Sequence, residues 1–182
     1  KDDLLKVDSQ GRRLFLGEEF YSTGIGKDAK YQTRISGIKN KVLITEFLAD
    51  KKYLNLLSVG RFCEAKNYDN VPDICNKALE LLKDENIDIK WYIIGFGADE
   101  NLIRQKIAEA GMQEHVIILG KKENPYPYIK ACDIYVQPSR YEGKSVTVRE
   151  AQMLCKPVVV TNYPTASSQI QNGDDGVIVP LD

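Results

Sequence analysis

Two short stretches, LNLLSVG at residues 54–60 and IKWYIIG at residues 89–95, decide the fold of this chain. Both are apolar along nearly their whole length, do not alternate, and end in glycine. Such a run is typical of a strand that is buried on both faces of a parallel sheet. Further strand-like runs follow along the chain, at residues 116–120, 133–139, 157–162 and 176–180.

Segments with helical character separate these runs, and we predict helices over residues 70–86, 99–111, 124–132, 145–155 and 165–173. Gly111 and Gly173 stand where two of them should end. The first predicted helix carries an apolar stripe with i, i+3 and i+4 spacing. Its members are Val71, Ile74, Cys75, Ala78, Leu81 and Leu82. Strands and helices that alternate in this way predict an α/β fold, a Rossmann-like doubly wound parallel sheet.

We predict that this domain covers residues 53–182, and that residues 1–52 form an opening segment of uncertain structure, partly packed on the domain. One or two strands are expected within residues 12–26, and residues 26–44 have a partly helical rhythm. The chain starts at Lys1 and stops just after an apolar run. We therefore expect it to be a domain of a longer protein.

The composition limits the classes of partner. The chain of 182 residues has 25 basic and 26 acidic side chains, a net charge of -1, which gives no reason to expect nucleic acid or an anionic membrane surface. Its apolar runs are too short to cross a bilayer. The four cysteines lack the spacing of metal ligands, so we expect reduced thiols in a cytoplasmic protein.

Ligands of an open parallel sheet bind at the carboxyl ends of the strands. Three of the five loops that leave these ends combine glycine with basic residues, as expected where backbone approaches a phosphate. They are GRFCEAKN (60–67), GKKENPYP (120–127) and PSRYEGKSV (138–146).

In the first of these loops, Arg61 and Lys66 form either a clamp for a diphosphate or two solvated loop cations. The loop GFGADEN (95–101) has two glycines of a dinucleotide fingerprint, but Glu100 replaces the third and would repel a pyrophosphate. A nicotinamide cofactor is therefore not expected. The small Gly97 still allows close approach to a ligand. The loop GKKENPYP is either a surface turn or a rigid support for a planar base.

The stretch YEGKSVTVREA (141–151) allows two interpretations. Thr147 and Glu150 have the spacing of a capping box, with Glu142 as a solvated loop acid. Alternatively, free amides at a helix start bind a phosphate, and the two glutamates bracket a ligand of about 10 Å and accept hydrogen bonds from sugar hydroxyls. The only histidine, His115, precedes the third predicted strand, so we expect it at the opposite end from the ligand loops.

Taken in order, these segments resemble the C-terminal, nucleotide-sugar-binding half of retaining glycosyltransferases of the group 1 (family 4) type, which have the GT-B fold. The resemblance covers residues 23–180. It includes the glycine–arginine…lysine element in VGRFCEAKN, the E-x(7)-E segment in YEGKSVTVREA, and STGIGKDAKYQ (22–32) as a short glycine-rich lead-in. Where many members have phenylalanine–glycine after the first glutamate's glycine, this chain has Lys144–Ser145.

The resemblance implies the following roles. Arg61 and Lys66 hold the diphosphate and stabilise the leaving group, and Glu142 contacts the donor sugar, so these three are the candidate catalytic residues. Glu150 binds the ribose diol. The remaining nucleotide-sugar-binding candidates are the phosphate-binding amides of Lys144, Ser145 and Val146, with Lys121 and Lys122 near the base, and the loop glycines Gly60, Gly97, Gly120 and Gly143.

The resemblance also implies a retaining hexosyltransferase that uses a nucleotide-diphosphate sugar in cell-surface polysaccharide or glycolipid synthesis. No metal and no cofactor are expected. The partners implied are the sugar donor and an N-terminal acceptor domain absent from this chain, through which any contact with the inner face of the cell membrane would be made. Alternatives are a GT-B nucleotide-sugar epimerase or phosphorylase domain, or a non-catalytic nucleotide-binding module.

Overall fold

The computed structural model describes residues 5–7, 13–16, 41–43, 53–85 and 87–181. The first three ranges are the strands β1 (Leu5–Val7), β2 (Arg13–Leu16) and β3 (Lys41–Leu43), which form an antiparallel sheet in that order. Strand β2 lies where a strand was expected, whereas β3 falls on residues for which a helical rhythm was predicted. The lead-in at residues 22–32 lies outside the described residues.

Six parallel strands form the main sheet. They are β4 (Tyr53–Val59), β5 (Asp88–Ile94), β6 (Val116–Gly120), β7 (Ile134–Gln137), β8 (Val158–Thr161) and β9 (Val177–Val179). Their order is β6-β5-β4-β7-β8-β9. Each begins and ends within two residues of the predicted bounds, and the predicted doubly wound α/β fold is confirmed.

Four α-helices connect these strands: α1 (Val71–Leu82), α2 (Glu100–Glu109), α3 (Tyr126–Ala131) and α4 (Val146–Met153). Single 3₁₀ turns occur at Glu64–Lys66, Tyr68–Asn70, Lys83–Glu85 and Ala166–Ser168. The helix predicted over residues 165–173 is therefore wrong, because only the turn at Ala166–Ser168 forms there. The hydroxyls of Thr165 and Ser168 bond to backbone carbonyls, an alternative that competes with helix formation.

The sheet has a core on each face, which explains why its strands are apolar throughout. Alternate residues of β4 and β5 point to opposite sides. Leu56 and Trp91 pack with α1 and α2 on one face, whereas Leu57 and Tyr92 pack with α3 and α4 on the other. A sheet covered by helices on both faces can expose a ligand site only at its edges and strand ends.

The apolar stripe predicted on α1 is only partly buried. Val71 and Cys75 are fully buried, but Ile74 and Leu81 are exposed. At about 100° per residue, Ile74 and Leu81 lie together at one margin of the stripe, away from the line that faces the sheet. Leu79, on the opposite margin, packs against the core instead.

The order of the strands places a crevice beside β4. The chain runs outward from β4 to β5 and β6 on one side, and from β7 to β8 and β9 on the other. Strands β4 and β7 are neighbours, so the loops that follow them diverge from this point. In open α/β sheets, such a switch point at the carboxyl ends is where ligands bind.

Candidate functional site

Arg140 holds together the two loops at this switch point. Its guanidinium makes two parallel hydrogen bonds to the Asp69 carboxylate, at 3.0 and 2.9 Å, and a third to the carbonyl of Glu64 at 2.6 Å. The amides of Arg140 and Tyr141 both donate to the carbonyl of Ala65. Burial alone would raise the pKa of Asp69, but the hydrogen bonds and charge of Arg140 outweigh it and lower that pKa.

This brace brings Lys66 and Glu142 into contact. The ammonium of Lys66 forms an ion pair with Oε1 of Glu142, and both side chains are mostly buried. The same oxygen accepts hydrogen bonds from Ser139 Oγ at 2.8 Å and Gln137 Nε2 at 3.0 Å. Two residues predicted for the site, one from the loop after β4 and one from the loop after β7, thus share one hydrogen-bonded cluster.

A buried network of hydrogen bonds connects the cluster to the end of the strand β7. Tyr135 donates its hydroxyl proton to Oε1 of Gln137 at 2.9 Å, and the amide of Gln137 bonds to Ser139 Oγ at 2.8 Å as well as to Glu142. Burial raises the pKa of Tyr135, so its hydroxyl stays protonated and remains a donor. The carboxylate of Glu142 is therefore held by groups whose own positions are fixed by the strand β7.

Gln137 and Ser139 were missed as site residues at the level of sequence. The signal was present, because a polar glutamine ends the otherwise apolar strand IYVQ and both side chains are fully buried. Buried polar groups need partners, and in a parallel sheet they point to a network at the strand end. The sequence does not say that Lys66, from the loop after β4, completes that network.

The start of α4 is held by two side chains from the segment after β8. Ser145 is the N-cap, and its hydroxyl accepts from the amide of Val148. The side chain of Gln169 makes two hydrogen bonds to the backbone of the same residue. Its oxygen accepts from the backbone amide of Ser145 at 2.8 Å, and its nitrogen donates to the carbonyl of Ser145 at 3.0 Å. Thr165 bonds to the carbonyls of Glu142 and Gly143.

One of the three amides predicted for a phosphate, that of Ser145, is therefore engaged. The amides of Lys144 and Val146 form no hydrogen bond with any residue that the structure describes. An added Cβ on Gly143 would meet nothing within 4 Å. The loop thus presents open space and two unpaired amides at a helix start, where the dipole favours an anion.

Glu150 does not form the capping box that its spacing allowed. Ser145 rather than Thr147 caps α4, and Glu150 is buried, with Oε1 accepting a hydrogen bond from the hydroxyl of Tyr126 at 2.8 Å. A carboxylate removed from water in this way requires such partners. Its burial is unlike that of a solvated helix-start acid.

The glycines of the first two loops are explained by close packing, against backbone at Gly95 and Gly97 and against side chains at Gly60. A Cβ on Gly97 would lie 2.1 Å from the carbonyl oxygen of Phe62, and one on Gly95 would lie 1.8 Å from that of Gly60. A Cβ on Gly60 would lie 2.7 Å from the hydroxyl of Tyr68 and 3.1 Å from Cε of Lys66. These distances account for Gly60 and Gly97 without a ligand, and ligand contact by either stays a prediction.

The remaining predicted cations lie at the same edge of the sheet. Arg61 and Lys144 are exposed, and neither side chain is bonded to another described residue. Lys121 lies over the ring of Phe96, 5.2 Å from the centroid, and Lys122 over that of Tyr128, at 5.6 Å. Gly120, just before the lysines, has a φ of +70°, which favours glycine. Phe96 is exposed, so an aromatic face and a cation border the predicted base loop.

An open groove of about 1180 Å³ lies elsewhere, along α4 and the strand β8. Lys144, Ser145 and Val146 line one end of it, and Asp174 and Asp175 line another part. Neither Lys66 nor Glu142 borders this groove. The groove and the switch-point cluster are therefore separate surfaces, and the start of α4 borders the groove.

His115 lies before β6, at the amino ends of the strands, with Nδ1 3.0 Å from the carbonyl oxygen of Ile89. This confirms that it is remote from the ligand loops. Among the described residues, no three His, Cys, Asp or Glu side chains are grouped to hold a metal ion. Within the same part of the chain, no helix has both the length and the apolar character needed to cross a bilayer.

Comparison with known proteins agrees with this geometry. Residues 39–181 match the family model "Glycosyl transferases group 1". The chain is 28% identical over 184 residues to an N-acetylgalactosamine-N,N'-diacetylbacillosaminyl-diphospho-undecaprenol 4-alpha-N-acetylgalactosaminyltransferase of Campylobacter jejuni. The alignment covers 100% of this chain and 48% of that protein. It is 26% identical to a UDP-Gal:alpha-D-GlcNAc-diphosphoundecaprenol alpha-1,3-galactosyltransferase of Escherichia coli, over 68% of this chain and 32% of that protein.

Among solved structures, a variant of TarM from S. aureus in complex with UDP and alpha-GlcNAc-glycerol has a TM-score of 0.64 and 21% identity. The match covers 71% of this chain and 26% of TarM, and it confirms the fold as that of a GT-B glycosyltransferase domain. The chain spans less than half the length of the two curated relatives. The family match covers most of the chain, and the chain therefore belongs to the glycosyl transferases of group 1.

Proposed function

We propose that the chain is the donor-binding domain of a retaining hexosyltransferase, which uses a nucleotide-diphosphate sugar and builds a cell-surface polysaccharide or glycolipid. The observation that carries this proposal is the cluster of Lys66, Glu142, Gln137 and Ser139 at the switch point. It combines a cation for a phosphate with a fixed carboxylate for sugar hydroxyls. The names of the two relatives support the substrate class, since one is an N-acetylgalactosaminyltransferase, the other is a galactosyltransferase, and both names include a diphosphoundecaprenol-linked sugar.

The cluster is built so that Lys66 can exchange partners. Without ligand, its charge is balanced by Glu142. When a diphosphate binds, Lys66 can turn to it, because Glu142 retains the hydrogen bonds from Gln137 and Ser139. Lys66 is then paired with the diphosphate and Glu142 keeps two hydrogen bonds, so neither charged group is left without a partner, a condition that would otherwise cost several kcal/mol. Lys66 and the exposed Arg61 stabilise the negative charge that develops on the leaving diphosphate.

The start of α4 receives the distal phosphate. The amides of Lys144 and Val146 are the donors, and the side chain of Lys144 is free to add a positive charge. Gln169 keeps the Ser145 peptide in place, and these two amides are left available at the helix start. Gly143 leaves room for the phosphate and sugar to approach the backbone.

The nucleoside lies toward α3 and the loop after β6. Glu150 accepts hydrogen bonds from the ribose diol, and Lys121 and Lys122, with the backbone at Gly120, border the base.

The α linkages named for the two relatives support retention, because an α-linked sugar that is transferred from an α-linked nucleotide sugar keeps its configuration.

The reaction as proposed needs no metal and no cofactor, since cationic side chains and helix-start amides supply the charge for the leaving group. The acceptor is bound by a further, N-terminal domain of the same protein, in keeping with the greater length of the relatives. That domain would place the enzyme in the cytoplasm at the inner face of the membrane.

Binding to the 182-residue chain tests the donor site directly. Isothermal titration calorimetry with UDP, GDP and ADP should detect one of them with a dissociation constant in the micromolar to millimolar range. Absence of heat for all three at millimolar concentration refutes the donor-domain assignment. The chain alone should transfer no sugar, because acceptor and cleft closure require the second domain.

Turnover in the full-length enzyme tests the roles. Lys66→Ala should lower kcat by at least about 100-fold, the size typical of removing one group that stabilises a leaving oxyanion. Lys130→Ala is a matched control, since Lys130 bonds to the carbonyl of Leu154 on the face of the sheet. Product formed only when an acceptor is present separates a transferase from an epimerase, and phosphate-independent turnover separates it from a phosphorylase.

A further inference from the structure

The hydrogen bond between Tyr126 and Glu150 joins two parts of the proposed donor site. Tyr126 is the first residue of α3, directly after the loop that carries Lys121 and Lys122. Glu150 lies in the middle of α4. The hydroxyl of Tyr126 reaches across to Oε1 of Glu150 at 2.8 Å, over a separation of 24 residues.

Both partners are almost fully buried, each with 2% of its surface exposed. They lie on the face of the sheet whose core includes Ile129, Val148 and Ala151. A hydrogen bond between two groups that are withdrawn from water is stronger than one in water, and it restricts the rotation of the carboxyl group. A neutral phenol supplies this restraint without adding a positive charge.

The position of the phenol is itself fixed. The backbone amide of Tyr126 donates to the side chain of Asn124 at 3.2 Å, and Pro125 and Pro127 flank the residue and limit the backbone. The hydroxyl is therefore presented at a defined place relative to the loop after β6.

We propose that Tyr126 is a positioning residue that orients the Glu150 carboxylate toward the ribose diol and thereby makes donor binding selective for ribose. This inference rests on the proposed function. Two adjacent hydroxyls are recognised well only when the plane of the carboxylate is fixed, because each hydroxyl must meet a lone pair in line. Loss of the phenol removes one restraint on the orientation of the carboxylate and so lowers this selectivity.

A purely structural role for Tyr126 predicts a different result. If Tyr126 only stabilised the packing of α3 on α4, its loss would weaken all nucleotides to the same degree. If it orients Glu150, its loss weakens ribonucleotides and spares those that lack a 2′-hydroxyl. The ratio of the two affinities therefore separates the two roles.

The test uses the 182-residue chain, whichever of UDP, GDP and ADP binds most tightly, and the 2′-deoxy form of that nucleotide. The wild type should prefer the ribonucleotide by about tenfold, which corresponds to about 1.4 kcal/mol. Tyr126→Phe should weaken the ribonucleotide by about five- to tenfold and change the deoxynucleotide by less than twofold. Tyr163→Phe is the matched control, because the buried hydroxyl of Tyr163 has no hydrogen-bond partner among the described residues, and it should leave both constants unchanged.

A Tyr126→Phe variant that keeps the tenfold preference, or that weakens both nucleotides equally, overturns the inference and leaves the proposed function intact. Failure of the wild type to bind any of the three ribonucleotides refutes the proposed function, and the inference with it. A Glu150→Gln background covers the case in which Tyr126→Phe alone does not fold. There is no carboxylate to orient in that background, so Tyr126→Phe should not change the preference further, and any additional loss of it contradicts the role proposed for Tyr126.

Discussion

Gln137→Leu should destabilise the domain by about 2–4 kcal/mol. The amide of Gln137 joins Tyr135, Ser139 and Glu142 in one buried network, through hydrogen bonds of 2.8 to 3.0 Å. Leucine has a similar volume, so little of the loss comes from a cavity. The loss of stability comes from buried polar groups that are left with too few hydrogen-bond partners, at about 1–3 kcal/mol for each group. Ser139 and Glu142 keep the hydrogen bond that they share, which limits the total.

Urea unfolding at 25 °C measures this difference, and the single tryptophan, Trp91, is a suitable fluorescent probe because it is buried in the core. Gln105→Leu is the matched control. Its amide bonds to Glu109 at 2.7 Å on the exposed surface of α2, so the same substitution should change the free energy of unfolding by less than about 0.5 kcal/mol. If Gln137→Leu also stays within 0.5 kcal/mol of the wild type, the network does not stabilise the site and the reasoning is refuted.

Two further predictions concern the loops at the same edge. Gly97→Ala should destabilise the domain by at least about 2 kcal/mol, because its Cβ would clash with the backbone of Phe62. Gly143→Ala should be nearly neutral, because nothing lies within 4 Å of an added Cβ there. Equal melting temperatures for the two variants would contradict this. Asp69→Asn should cost about 1 kcal/mol at pH 7, since it removes the carboxylate bound by Arg140. The pKa of Asp69 is lowered on folding, so this contribution is present above its usual value of 3.8 and should be lost as the pH falls below it; a difference from the wild type that persists unchanged at pH 2 would contradict the assignment.

The sheet was predictable because its burial on both faces leaves a direct mark on composition. Runs such as LNLLSVG must be apolar along their whole length when helices cover both sides. The direction of the strands then follows, because a connection that passes through a helix joins parallel strands. Parallel strands place the loops that carry Gly60 and Glu142 at the same edge of the sheet. The predicted location of the site at that edge agrees with the contact between Lys66 and Glu142.

The partners within the site were not predictable in the same way. Lys66 and Glu142 are 76 residues apart, and Ser145 and Gln169 are 24 apart. Which loop side chains meet depends on local turns, such as the 3₁₀ turn that carries Lys66 and ends at Asn67 with a φ of 59°. One sequence does not encode these turns in a periodic pattern. The helix predicted over residues 165–173 failed for a related reason, because its polar side chains bond to another loop.

The hydrogen bonds that Thr165 and Gln169 make to the loop before α4 have a consequence for engineering. A designer who transplants residues 140–146 from another transferase, to change donor preference, would replace only half of a matched pair of segments. The incoming backbone would meet Thr165 and Gln169 in positions suited to the carbonyls of Glu142 and Gly143 and to the peptide of Ser145. Effects of changes in the two segments should therefore be non-additive, and a working graft should carry both segments together.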